Sequence, residues 1–73
     1  MNYVEIRPHP LKGGLAGKFG LELFVWSERG DHLDEIRFVA DGVFDSRMDA
    51  LAYGEGWAKS RGLPSVDQAG IYG

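Results

Sequence analysis

The chain of 73 residues contains no cysteine, which excludes a disulfide framework and removes the commonest ligand of a structural zinc site. It has only three prolines, and no run of about 18 apolar residues that could span a membrane. Its N-terminus lacks the basic segment and the apolar segment of a signal peptide. We therefore expect no membrane association and a cytoplasmic protein.

Net charge is also small, at −3, which disfavours a protein whose affinity depends on neutralising many phosphates. The hydrophobic fraction of 44% with 26% charged residues is typical of a folded globular domain. A chain of this length builds only a small core, and such domains often gain stability from a disulfide, a metal or a partner subunit. With the first two disfavoured, two alternatives remain: association with a partner, or a domain that folds alone, as many of this size do.

Three segments alternate apolar and polar residues, as strands with one buried face do. The first two cover residues 3–7 and 19–27, and the third begins after Leu33 and runs to Ala40. The second segment is apolar on both faces. The glycine-rich stretch 9–18 has no period and is expected to form a mobile loop. Gly30 lies between the second and third segments, where a tight turn would make a hairpin.

A helix is predicted from Ser46 to Arg61. Ser46 can cap the first turn, with Asp49 three residues later. Gly62 suits the left-handed position that ends a helix, and Pro64 prevents continuation. Gly54 is expected to permit close approach to Phe38 or to a strand backbone, whereas Gly56 has no such explanation.

These elements predict an α+β fold, a three-stranded antiparallel sheet with one C-terminal helix packed on one face. Residues 1–62 would form a single βββα domain, and residues 63–73 a tail that is ordered only where Leu63, Val66 or Ile71 finds a groove. The predicted core beneath the helix consists of Val4, Ile6, Leu21, Leu23, Val25, Ile36 and Phe38.

The opposite face of the sheet would be open and would carry large aromatics between charged residues. Such patches often mark interaction sites. Two alternatives remain: the tail covers these aromatics, or the opposite register makes them core. The predicted partner-binding residues are Tyr3, Arg7, Phe24, Trp26 and Arg37.

We find no residue pattern typical of catalysis, of a cofactor site or of a metal site. Gly13 to Lys18 lacks the spacing of a phosphate-binding loop, although Lys12 and Lys18 could contact a phosphate backbone. His32 lies between Asp31 and Asp34, but neighbours in one turn rarely converge on a metal.

The segment Phe44-Asp45-Ser46, followed by Ala50, Leu51, Ala52 and Tyr53, resembles the strand-to-helix junction of plant ethylene-response-factor DNA-binding domains. In that family the open sheet face contacts DNA, so the resemblance implies Arg7, Trp26 and Arg37 as the contacting residues. The same order of elements, with this cap and an alanine-rich helix carrying a tryptophan, also resembles short uncharacterised proteobacterial proteins, a family without an assigned activity.

The sequence favours a non-enzymatic protein-interaction module, a homodimer joined through the open sheet face around Phe24 and Trp26 or through an edge strand. One alternative is a nucleic-acid-binding accessory domain that uses the sheet face and the lysine-bearing loop. A second is a small inhibitor or immunity-type protein that blocks a basic partner with its acidic surface.

Overall fold

The computed structural model describes residues 2–67. Their order is β1 (Asn2–Pro10), a short 3-10 helix (Gly13–Leu15), β2 (Phe19–Arg29), β3 (His32–Val39), α1 (Arg47–Ser60) and β4 (Ser65–Asp67). Gly30 and Asp31 alone separate β2 from β3, and Gly30 has a φ of 58°, which confirms the predicted hairpin.

The sheet has four strands in the order β3-β2-β1-β4. β2 pairs antiparallel with β1 and with β3, whereas β4 pairs parallel with β1. The chain therefore leaves β3 at one edge of the sheet, crosses one face as α1 and returns as β4 at the other edge. This path places α1 against β1, β2 and β4 and away from β3.

The prediction of a three-stranded antiparallel sheet with a C-terminal helix is thus wrong in two respects. The sheet is mixed and four-stranded, and α1 lies between β3 and β4 in sequence. β4 forms because the Val4 N–H donates to the Pro64 C=O at 2.9 Å, which brings the following residues into register with β1. The predicted contact of Ile71 with a groove lies outside the described residues.

Both ends of α1 follow the predicted signals. Ser46 is in extended conformation, and its hydroxyl accepts a hydrogen bond from the Asp49 N–H at 3.1 Å. At the other end Gly62 has a φ of 69°, and its N–H donates to the Lys59 C=O. Within residues 2–67, no helix is long and apolar enough to cross a bilayer.

The core lies between α1 and the two central strands. Val4, Ile6, Leu21 and Leu23 are almost fully buried beneath Ala50 and Ala58, and Val25 packs at the margin. Two predicted core residues are misplaced: Ile36 is 56% exposed and Phe38 is 43% exposed. Both do point toward the helix side of the sheet, but α1 does not extend over β3.

Gly54 lets α1 approach the sheet closely, against Ile6 rather than against Phe38 or a strand backbone. A Cβ atom at Gly54 would lie 2.7 Å from Ile6 Cγ2, whereas a Cβ atom at Gly56 would meet nothing within 4 Å. Ala50, Gly54 and Ala58, three small residues spaced four apart on α1, are therefore packing residues of the core.

Candidate functional site

The open face, which is the sheet face opposite α1, is centred on a buried carboxylate. Glu5 is only 5% exposed. It accepts two hydrogen bonds from Arg7, from Nε at 2.9 Å and from Nη2 at 3.0 Å, and a third from Trp26 Nε1 at 3.1 Å. A carboxylate buried to this degree needs such donors, because an unpaired charge is costly to remove from water.

The aromatic residues of the open face pack around this carboxylate. The Arg7 guanidinium lies over the Phe24 ring, with Cζ 4.0 Å from the ring centroid, and Phe24 is 7% exposed as a result. Tyr3 stacks on Trp26 at a centroid separation of 6.5 Å. Phe24 is therefore covered by its own chain, so the open face is not the bare aromatic patch that the alternation predicts.

The remaining predicted contact residues also lie near acidic partners, with one exception. Arg37 pairs with Glu22 on the neighbouring strand, and Lys18 pairs with Asp45 just before α1. Lys12 is exposed beside the short 3-10 helix. The structure thus brings Tyr3, Arg7, Phe24 and Trp26 into one network and leaves the two lysines outside it.

Two carboxyl groups show the electrostatic effect of these pairs. Hydrogen bonds from Arg7 lower the pKa of Glu5 below its ordinary value of 4.5, although burial opposes the shift and Trp26 adds to it. The hydrogen bond from Lys18 lowers the pKa of Asp45 in the same direction. Both carboxylates are stabilised in their charged form, which is typical of structural pairs.

Glu5 is a residue of the open face that the sequence pattern does not single out. A usable signal was present, because Arg7 lies two residues later on the same face of the same strand. The second donor, Trp26, lies near Glu5 only because β1 and β2 pair in the register that places Phe24 opposite Glu5.

Four exposed large apolar residues, Leu33, Ile36, Phe38 and Val39, lie on β3. All eight residues of this strand are exposed, and β3 is a terminal strand of the sheet. No strand of residues 2–67 pairs with its outer edge, which therefore presents backbone donors and acceptors. Ile36 and Phe38 face the helix side, whereas Leu33 and Val39, which are 54% and 61% exposed, face the open side.

A groove runs beside β3 where α1 stops short of it. The space of about 240 Å³ lies between Phe38 and the α1 residues Tyr53 and Trp57, with Leu23 among the other lining residues. The Phe38 and Trp57 rings are in contact at 5.3 Å between centroids. The apolar surface of the strand thus continues from its edge onto the helix.

Across residues 2–67, no group of three or more histidine or acidic side chains is arranged to hold a metal ion. Comparison of the chain with protein-family models, with curated proteins and with solved structures gives no match. The geometry of the open face and of the β3 edge is therefore the only basis for a functional proposal.

Proposed function

We propose that this chain is a non-enzymatic protein-interaction module that self-associates through the outer edge of β3. The observation that carries the proposal is an edge strand of eight residues, every one of them exposed, with Ile36 56% and Phe38 43% exposed. A long edge that no strand of residues 2–67 pairs with, and that carries exposed apolar side chains, is a template for pairing with another strand. Within the described residues, the other edge strand, β4, has three residues and offers less to pair with.

The energetics favour covering this edge. Fully burying one exposed large aliphatic or aromatic side chain gains about 1.5–3 kcal/mol. Because Ile36 and Phe38 are about half exposed, covering them gains about half of that for each side chain, which is a useful fraction of the stability of a small domain. Strand pairing adds backbone hydrogen bonds at the same edge. A partner that binds only the folded chain also stabilises it by mass action.

The open face supports association less well than the β3 edge. Glu5 already accepts hydrogen bonds from Arg7 and Trp26, and Arg7 covers Phe24. A partner on this face would have to remove the remaining water from a charged network, and the desolvation cost offsets much of what new contacts return. On β3, by contrast, apolar side chains are exposed outside this charged network.

Ile36→Lys tests the proposal. The substitution places a charge on the edge and is expected to abolish self-association with little loss of fold, because Ile36 is already mostly exposed. Met48→Lys, at a 72% exposed position of α1, changes charge and hydrophobicity in the same way outside β3. Sedimentation equilibrium over a range of concentrations measures the mass, and circular dichroism verifies folding.

The wild-type chain and Met48→Lys are expected to shift from monomer to dimer as concentration rises, while Ile36→Lys stays monomeric. A wild-type chain that is monomeric at every concentration would contradict the proposal. Equal association of wild type and Ile36→Lys would place the interface elsewhere.

A further inference from the structure

The backbone of β3 fixes which residues can bond to a partner strand. The Ala40 N–H donates to the Leu21 C=O at 3.0 Å, so the even-numbered residues of β3 direct their backbone groups toward β2. Because these directions alternate along an antiparallel strand, the odd-numbered residues direct theirs outward. The free donors and acceptors therefore belong to Leu33, Glu35, Arg37 and Val39.

The side chains of β3 are self-complementary about Ile36. On the open side, Leu33 and Val39 are equidistant from Ile36, and so are Glu35 and Arg37. If two copies of β3 pair antiparallel with Ile36 at the two-fold axis, Glu35 opposes Arg37 of the second copy. Leu33 then opposes Val39 of the second copy. Each charged contact and each apolar contact occurs twice by symmetry.

Neighbouring registers lack this match. Residues whose backbone groups point outward must oppose one another across the two strands. The next registers that satisfy this condition have Glu35 or Arg37 at the two-fold axis. Centring on either would oppose two like charges directly, which is destabilising in an antiparallel pair. On the helix side, the Ile36 register places Ile36 opposite Ile36 of the second copy, and Phe38 opposite Asp34 of the second copy.

We infer that the partner of the β3 edge is a second copy of this chain, paired antiparallel about Ile36, and that Glu35 and Arg37 determine the register. The inference rests on the proposed function and adds the identity and orientation of the partner. Glu35 forms no hydrogen bond or ion pair with another residue of the described segment, so its carboxylate is available to the partner. Arg37, held by Glu22, presents its guanidinium at the same face.

Charge reversal tests the register. Glu35→Arg alone opposes arginine with arginine across the two-fold axis, and Arg37→Glu alone opposes glutamate with glutamate. Each change is expected to raise the dimer Kd by about tenfold to a hundredfold, since two attractive cross-strand pairs become two repulsive ones. An equimolar mixture of the two variants restores both opposite-charge pairs and is expected to form a heterodimer with a Kd near the wild-type value.

Sedimentation equilibrium of each variant and of the mixture measures these constants, and native mass spectrometry identifies the heterodimer. Glu55→Arg and Lys59→Glu are the matched controls, because they make the same charge changes at exposed positions of α1. Both controls are expected to dimerise like wild type, alone and mixed.

The outcomes separate this inference from the proposed function. If the wild-type chain does not self-associate, the proposed function itself fails. If wild type dimerises but the mixture binds no tighter than each variant alone, self-association stands and the Ile36 register is overturned. If loss of the Glu22 pair unfolds Arg37→Glu, Arg37→Gln replaces it, and its mixture with Glu35→Arg must still bind tighter than either variant alone.

Discussion

Replacing Arg7 by leucine is expected to lower the free energy of unfolding at pH 7 by about 2–3 kcal/mol, because it leaves a charge buried without its main partner. Glu5 is 5% exposed and takes two of its three hydrogen bonds from Arg7. Leucine keeps apolar cover over Phe24. The loss of stability therefore measures the effect of the buried Glu5 charge rather than of packing around the Phe24 ring.

The same substitution is expected to change how stability depends on pH. In the wild-type chain the pKa of Glu5 is lowered by folding, so its contribution is present above its ordinary value of 4.5 and is lost as pH falls through the folded value. Without Arg7, burial dominates and raises the pKa of Glu5 in the folded state. The effect of Glu5 on stability then has the opposite pH dependence: stability is lost as pH rises through the raised pKa of the folded state.

Urea unfolding between pH 3 and pH 8 at one protein concentration measures both effects. The gap between wild type and Arg7→Leu is expected to close toward low pH. Glu5→Gln in the Arg7→Leu background removes the buried charge and is expected to abolish the added pH dependence, while Trp26 keeps an acceptor. Parallel curves for wild type and Arg7→Leu would show that Glu5 is not held as a buried carboxylate.

Alanine substitutions at the two glycines inside α1 are expected to act in opposite directions. Gly56→Ala should raise the free energy of unfolding by about 0.5–1 kcal/mol, because alanine is the better helix former and the added methyl group meets nothing. Gly54→Ala gains the same propensity but places a methyl group against buried Ile6, at a cost of about 1–3 kcal/mol.

Because the gain in helix propensity is the same for both, the two variants are expected to differ by the packing cost of about 1–3 kcal/mol in chemical denaturation, with Gly54→Ala less stable than Gly56→Ala. Each serves as the control for the other, since the chemical change and the helix are the same. Equal effects would mean that α1 does not approach β1 at Gly54.

The elements with strong local signals could be predicted from the sequence. Ser46 with Asp49 marks the start of α1, and Gly62 with Pro64 marks its end. Gly30 marks the hairpin. The alternation also assigned Ile36 and Phe38 to the correct face of the sheet.

What could not be predicted depends on where the chain goes after α1. Ser65 to Asp67 carry no strand period, and they pair with β1 only because the crossover delivers them to that edge. The same crossover draws α1 away from β3, which is why Ile36 and Phe38 are exposed although they face the helix side. A helix of ordinary width covers about two strands, so which strand stays uncovered is decided by topology.

The sequence pattern predicts which residues lie on the open face, but not which contacts their side chains make. Alternation identifies its residues, yet it cannot show that Arg7 turns back onto Glu5 and Phe24 rather than outward. Side-chain pairing of this kind depends on cross-strand register, which the sequence pattern leaves undetermined. As a result, the exposed apolar surface lies one strand away from the predicted one.

The most direct test of self-association about Ile36 is a cysteine scan of β3, because the wild-type chain has no cysteine. In an antiparallel pair centred on Ile36, the two Ile36 Cα atoms lie about 4.5 Å apart, within the range that a disulfide bridges. The two copies of residue 35, like those of residue 37, lie about 8 Å apart, which is too far.

Single cysteines at positions 34 to 38, with Met48→Cys as the control for collisions, would be oxidised mildly and scored for disulfide-linked dimer on non-reducing gels. Antiparallel pairing about Ile36 is expected to give a covalent dimer at position 36 and only background cross-linking at the other positions. Equal cross-linking along the strand, or a maximum at another position, would contradict the antiparallel pairing about Ile36.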